Sequence, residues 1–543
     1  MTGSGLLLVA TLAVPIVMVA ACLNASVYTR VFKLLPLAPV PGLLAALFDR
    51  GDSIVIAPAP FRLTLALDQA GAMLLGGASL LWCAAGIYAA TTMRKLPGSG
   101  RFAIWWLLTL TGSLGVFVVA DMTSFYLVFS LASLAAYGLV SFEDTPRARR
   151  ASRVYMALAL LGEALILLGF VMLVTAVPGG NPLIRDAVSM LPGSPLETPA
   201  LMLLILGFGL KMGLVPLHVW MPLAHPVAPI PASAVLSGII VKAGVIGLIR
   251  FLPLEVPMPG CGTALLVLGL VTAFYGVLVG LTQQHPKTIL AYSTVSQMGV
   301  VAAVIGAGLA VAAPGTSNLA AFYALHHLLV KGALFLGVGI VAATGTAHLG
   351  RVLLPMAILA LSLAGLPLTS GALAKFAAKP LFGDGLPTML ATLSAAGSAL
   401  LMVHFLARLR LHTNEAPYSN PAATASAVWA LVAAASLVLP WLLFPRVTAL
   451  SPVETVSGKA LWDACWPIAA GGLVALFLMR LNIQTPKVPE GDIIVLFEKL
   501  GPAVARLGRT IDQTDVLLRR WPTAGVMLLT LAVAFGAALH VAH

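Results

Sequence analysis

The sequence predicts an all-α polytopic membrane protein with about 14–15 transmembrane helices, on the length and number of its apolar runs. The 543 residues are 60% hydrophobic and only 9% charged, whereas a soluble domain carries roughly 25% charged residues. Apolar runs of about 20 residues recur from end to end, long enough to cross a hydrocarbon core of roughly 30 Å. Only helices and closed barrels satisfy their backbone polar groups in lipid. The runs are continuous rather than alternating, so they are helices.

Spans are predicted at 5–23, 70–92, 102–120, 122–142, 154–177, 198–222, 231–252, 262–282, 288–310, 318–344, 353–385, 388–407, 424–444, 464–480 and 521–541. The first, Leu6 to Leu23, lacks a charged leading region and reads as a retained helix rather than a cleaved signal. Val19-Ala20-Ala21-Cys22 has a faint likeness to a lipoprotein cleavage box, but no positive charge precedes it. Residues 24–69, rich in proline and small apolar side chains, read as a long external connection with room for a short interfacial helix. The chain thus divides into an N-terminal helix and connection (1–69), a core of helices (70–410) and C-terminal helices (411–543). Between the last two spans, Ile493, Phe497, Leu500, Val504, Leu507 and Ile511 recur every three to four residues. They predict an amphipathic helix over 490–520, lying on the cytoplasmic surface or against a partner.

The net charge is +12, but the basic residues sit in short loops between apolar runs and form no stripe interleaved with aromatics. That excludes a nucleic-acid partner and matches the positive-inside pattern. Eighteen Lys and Arg fall on the side of loops 93–101 and 143–153, and eight on the other. The richer side is read as cytoplasmic, which with these spans places the N-terminus inside and the C-terminus outside. Four cysteines, Cys22, Cys83, Cys261 and Cys465, show no CxxC spacing, so neither a disulfide framework nor an iron–sulfur site is indicated.

The remaining five basic residues are Lys211, Lys242, Lys331, Lys375 and Lys379, all inside or bordering apolar spans; among the acids only Glu163 sits well within one. A charged lysine at the bilayer centre costs at least about 2.5–3.5 kcal/mol. A single one can snorkel from a helix end; four at mid-span would need four unrelated accidents. Burial penalises the ammonium form, so such lysines can exchange protons near neutral pH. Lys211 precedes Pro216 in a Gly-rich stretch, and Lys375 follows Pro367 and Gly371. Such breaks free backbone groups that must line a polar cavity. The reversed order of lysine and proline is what two inverted-topology repeats with broken helices would give. His327 and Lys331 are i,i+4 and share a helix face, an arrangement that can relay a proton. A metal site would need further ligands that the neighbouring sequence lacks, and no metal or cofactor is expected.

Two blocks make the chain resemble a known family: Lys211-Met-Gly-Leu-Val-Pro-Leu-His-Val-Trp-Met-Pro-Leu-Ala-His-Pro-Val-Ala-Pro, and Pro231-Ala-Ser-Ala-Val-Leu-Ser-Gly-Ile-Ile-Val-Lys242. They resemble the signature of the antiporter-like membrane proteins. That family comprises the large membrane subunits of respiratory complex I, the two large subunits of multisubunit Na⁺/H⁺ antiporters, and membrane subunits of membrane-bound hydrogenases and formate hydrogenlyase. Lys287 to Gln297 and the His327–Lys331 helix match further blocks, and the likeness covers roughly 60–410. The resemblance implies that Lys211 is the broken-helix lysine of a first half-channel and Lys242 the connecting lysine. It further implies that His327 and Lys331 form the central relay and that Lys375 ends a second half-channel. Lys379 matches nothing in the family and reads as a snorkelling helix-end residue. The family places a glutamate where this chain has Ser130, as partner to the broken-helix lysine; Glu163, one span later, is the candidate replacement. The family also has two spans before the Asp68 helix, where one convincing run is visible here.

The function expected is a proton-translocating membrane subunit of a multisubunit energy-coupling complex, complex I-like or hydrogenase-like, in a bacterial-type inner membrane, with other membrane subunits as partners. The chain carries no nucleotide loop, haem ligands or cysteine cluster, so any redox catalysis, as in an NADH:quinone oxidoreductase or a hydrogenase, belongs to those partners. Alternatives are a component of a Na⁺(K⁺)/H⁺ antiporter, for which one buried glutamate is thin support, and the membrane partner of an inorganic-carbon uptake system. A membrane-embedded transferase would need interfacial acids that are not found.

Overall fold

A computed structural model of the chain describes residues 3–24, 27–48, 51, 53–56, 63–175, 183–344, 349–413, 422–481, 486 and 488–495. Two units emerge, Met1–Glu490 and Gly491–His543; of the second, 491–495 are described, with 492–495 helical. The expected amphipathic helix beyond 495 and the span 521–541 lie outside the described residues.

The helices run α1 (Gly3–Cys22), α2 (Tyr28–Leu34), α3 (Val40–Phe48), α4 (Gln69–Thr92), α5 (Ser99–Val118), α6 (Met122–Val140), α7 (Pro146–Thr175) and the short α8 (Ile184–Ser189). Then come α9 (Glu197–Met212), α10 (Trp220–Val227), α11 (Ile230–Val235), α12 (Val241–Phe251), α13 (Pro259–Gly280), α14 (Pro286–Val311) and α15 (Thr316–Ala343). α16 (Leu349–Ala364), α17 (Ser370–Ala378), α18 (Leu386–Thr413), α19 (Ala423–Thr448) and α20 (Gly458–Arg480) complete the described bundle. Among the described residues, 13 helices are long and apolar enough to cross a membrane. α9/α10 and α16/α17 are two further spans, each in two pieces. The polytopic α-helical fold with broken helices is therefore as predicted; a two-residue ladder, Ile54–Val55 with Thr64–Leu65, is the small addition.

Each break has a local cause. α9 stops at Gly213, whose φ of +81° only glycine adopts freely, with Pro216 beyond. α16 stops at Gly365 (φ +100°), ahead of Pro367. A tryptophan bonds a carbonyl at each break: Trp220 Nε1 donates to Leu210 O at 3.0 Å and Trp441 Nε1 to Leu368 O at 3.2 Å. Four spans separate the two breaks, so when each crosses once the broken helices run in opposite directions, as inverted repeats require.

The N-terminal connection differs from expectation. Within 24–69, Tyr28 to Phe48 is helical through a 3₁₀ turn at Leu35–Leu37, and Arg30–Phe48 is apolar enough to span. Pro36, Pro39 and Pro41 read as breakers in the sequence. They fall in or near the first turns of successive helical pieces, where a missing N–H costs nothing.

The corner where α4, α5 and α12 meet is held by charge. Asp68 caps α4 by accepting from Gly71 N, and Arg250 at the end of α12 donates to Asp68. The same guanidinium donates to the carbonyls of Val116, Phe117 and Val119 at the end of α5. Partial desolvation works against the Asp68 charge, but Arg250 and the Gly71 amide outweigh it and hold the carboxyl below its ordinary value. Arg250→Ala should cost about 1.5–3 kcal/mol, the weight of hydrogen bonds to a charged group, read as a lowered unfolding midpoint in detergent.

Candidate functional site

The buried polar side chains form three clusters. In the first, Lys211 lies in the last turn of α9, just before the break, and is buried. Its Nζ donates to Ser133 Oγ at 2.8 Å and to the Tyr155 hydroxyl at 3.4 Å, and lies 5.7 Å from the centroids of both Phe129 and Tyr155. Those ring faces stabilise a cation that has left water. Glu163, buried on α7, accepts from Ser130 Oγ at 2.5 Å through Oε2, while its Oε1 has no hydrogen-bond partner among the described residues. Glu163 acts on Lys211 electrostatically rather than through a hydrogen bond, and Ser130, where the family pattern has its glutamate, binds the carboxyl group from the neighbouring helix.

The second cluster is central. Between α11 and α12 the helix widens into a π-turn, Leu236–Ile240, an irregularity common at functional sites. Just after it, fully buried Lys242 places Nζ 3.2 Å from Ser237 O and 2.6 Å from His327 Nδ1 on α15. One turn along α15, Lys331 donates to Leu290 O at 2.9 Å and to Ser293 Oγ. His327 Nε2 has no partner among the described residues, so the imidazole retains a free site for a proton or a water.

The third cluster surrounds the second break. His326 turns the opposite way from its neighbour, and its Nδ1 lies 2.8 Å from Ser370 Oγ at the start of α17. Lys375, half-buried, lies with Nζ 5.9 Å from the Tyr323 ring centroid. The Tyr323 hydroxyl donates to Gln297 Oε1 at 3.2 Å, and Gln297 Nε2 donates to Ser398 Oγ at 3.0 Å. Lys379 stands apart: it is exposed and paired with Asp463 at 2.6 Å, a helix-end lysine as its sequence position suggested.

The structure therefore brings Glu163 to Lys211, and Lys242 to His327 and its helix-mate Lys331, while Lys375 stands across His326 and Tyr323. Sequence reasoning missed several polar members. Lys287, counted among loop cations, is buried with Nζ 2.6 Å from Ala228 O. His225 is wholly buried, and both ring nitrogens lack a partner among the described residues. Ser133, Tyr155, Gln297 and His326 supply hydroxyl, amide and imidazole links. Of these, His225, Lys287 and Gln297 carried a signal, as polar residues within the motif blocks. Among the described residues, no three His, Cys, Asp or Glu side chains gather as a metal site requires.

Neutralising Glu163 tests the first cluster. Glu163→Gln keeps the shape and the Ser130 contact but removes the charge, and should lower any ion flux through Lys211 at least about tenfold, one pK unit's worth of coupling. Unchanged flux in reconstituted membranes would remove Glu163 from the site.

Residues 119–400 match the family model described as NADH:quinone oxidoreductase/Mrp antiporter, TM. Hydrogenase-4 component B of Escherichia coli is 31% identical over 299 residues, 53% of this chain and 44% of that protein. A Na(+)/H(+) antiporter subunit of Bacillus subtilis is 29% identical over 370 residues, 65% of this chain and 74% of that protein. The chain thus aligns with under half of the hydrogenase relative's length. Among solved structures, the Mrp complex from Dietzia sp. superposes with a TM-score of 0.77 at 21% identity, covering 100% of this chain and 63% of that one. The membrane-bound sulfane sulfur reductase, an archaeal respiratory membrane complex, gives 0.67 at 18%, covering 87% and 99%. At these identities the superpositions speak for the fold.

Proposed function

The chain belongs to the NADH:quinone oxidoreductase/Mrp antiporter transmembrane family, and from that premise we propose that it is a proton-translocating subunit of a multisubunit energy-coupling complex. The observation that carries this reading is the contact of two fully buried ionisable groups, Lys242 Nζ and His327 Nδ1, at 2.6 Å. In that contact one group holds the shared proton and the other accepts. A second proton arriving from either side raises a repulsion of about 4 kcal/mol between unit charges some 4 Å apart at an effective dielectric near 20. Protons can then advance by displacement, because the lysines and histidines of the row cannot all be charged together. Lys211, set by Glu163, would load one end; Lys242, His327 and Lys331 would pass the charge; Lys375 would release it at the other end. Oxidation or reduction, where it occurs, would belong to partner subunits.

A second reading, exchange of Na⁺ or K⁺ for H⁺, is favoured by the coverage of the Bacillus subtilis antiporter protein, 74% of its length. We assign the chain to an inner membrane with loops 93–101 and 143–153 in the cytoplasm. Cys22, Leu23 and Tyr28 line one cavity with Gly100, Arg101, Ile104 and Trp105, so the end of α1 and the start of α2 share that basic end. Arg30 and Lys33 then join the richer side, and the N-terminus lies outside, opposite to the expectation from one N-terminal span.

The test is to purify the complex through a tag on this chain, identify its subunits and reconstitute it. Redox-arm subunits with ΔpH formation that needs no Na⁺ would support the first reading. Small antiporter subunits with Na⁺-dependent ΔpH would support the second, and ΔpH under neither condition would refute both.

A further inference from the structure

We propose that the cytoplasmic corner between α1, α2 and α5 binds the phosphate head group of an anionic phospholipid. A cavity of about 420 Å³ lies there, lined by Cys22, Leu23, Tyr28, Arg101, Ile104 and Trp105 among others. Arg101 is exposed and has no hydrogen bond or ion pair among the described residues. Arg30 and Lys33 follow Tyr28 on α2, Arg94 and Lys95 precede α5, and all four are exposed. Neither 24–33 nor 93–105 contains an acidic residue, so nothing in these two segments neutralises the corner. Topology alone would account for positive charge here. It would not account for an arginine lining a cavity with tyrosine and tryptophan beside it, side chains that favour the head-group level of a bilayer.

The apolar half of the site fits the same occupant. α1 leaves Leu6, Ile16, Val17 and Leu23 exposed at 61%, 52%, 66% and 77%, a face acyl chains can cover below a head group held at Arg101. Basic pockets between membrane helices on the cytoplasmic side are suited to anionic head groups, with about 1 kcal/mol for each basic residue near the surface. A zwitterionic lipid would bring its own cation toward Arg101 and the basic residues flanking it, and a soluble phosphate would leave the apolar wall bare.

The test uses the full complex purified in mild detergent, with bound lipid measured by native mass spectrometry, followed by titration with phosphatidylglycerol, phosphatidylcholine or inorganic phosphate. The wild-type complex should retain phosphatidylglycerol and be stabilised by it, with little response to the other two. Arg101→Gln should reduce retention about fivefold, the weight of one basic residue at an anionic surface, while Arg101→Lys keeps most of it. Equal retention in wild type and Arg101→Gln would overturn the proposal. So would phosphatidylcholine or inorganic phosphate acting as well as phosphatidylglycerol, or cross-linking that finds an acidic segment of another subunit at Tyr28 and Arg101.

Discussion

Lys242→Ala is expected to abolish ion translocation while leaving the complex assembled. Lys242 is fully buried, with His327 Nδ1 at 2.6 Å and Ser237 O at 3.2 Å as its polar contacts. Truncation removes a charge that is costly to hold in the membrane, so stability should not collapse. What disappears is the bridge between the π-turn and α15, and with it the group that exchanges a proton with His327. Loss of a required proton carrier typically costs 10²–10⁴-fold. Flux below about 1% of wild type, with normal subunit stoichiometry, is the expected result. Lys242→Arg keeps the charge but does not release its proton, and should be nearly as inactive; an active arginine variant would mean that Lys242 serves only as a fixed charge.

Gly371→Val should be the most disruptive single change to the architecture of the site. A Cβ at Gly371 would lie 1.7 Å from Ser362 O and 3.2 Å from His326 Cε1. The second break is therefore closed backbone against backbone, and α17 must move if any side chain is added. Overpacking costs about 1–3 kcal/mol, sometimes more. The displacement would take Ser370 from His326 and Lys375 from the Tyr323 ring, so flux should fall well beyond the loss in stability. Gly472→Ala on α20, where an added Cβ meets nothing within 4 Å, should leave both unchanged. Equal behaviour of the two variants would show that the α16–α17 break is not held this tightly.

The fold was legible because its strongest signals are compositional: long apolar runs, few charges, and proline or glycine at the breaks. Arg30–Phe48 was not legible, because Pro36, Pro39 and Pro41 mimic a loop and only the 3₁₀ turn between α2 and α3 shows how the chain stays helical. In the site, the lysines and Glu163 stood out because ionisable groups in lipid are costly. Their linkers did not: Ser133, Tyr155 and Ser293 are ordinary residues in a membrane helix until a neighbouring helix brings an ammonium to them. Lys287 misled for a geometric reason. It sits in the first turn of α14 beside a loop, where a lysine usually faces water, yet its side chain turns inward to Ala228 O. That His326 and His327 face different clusters follows from the roughly 100° between successive helix positions, but which faced which required α12 and α17 in place.

The claim that a buried lysine–histidine row carries the ion is tested most directly at its entrance. Complex purified through this chain would be reconstituted in sealed vesicles, and ΔpH followed with a trapped dye for wild type and Lys211→Ala. Wild-type vesicles should build a ΔpH and Lys211→Ala vesicles none, with matched protein content and lipid tightness. A ΔpH of wild-type size from Lys211→Ala would contradict the account.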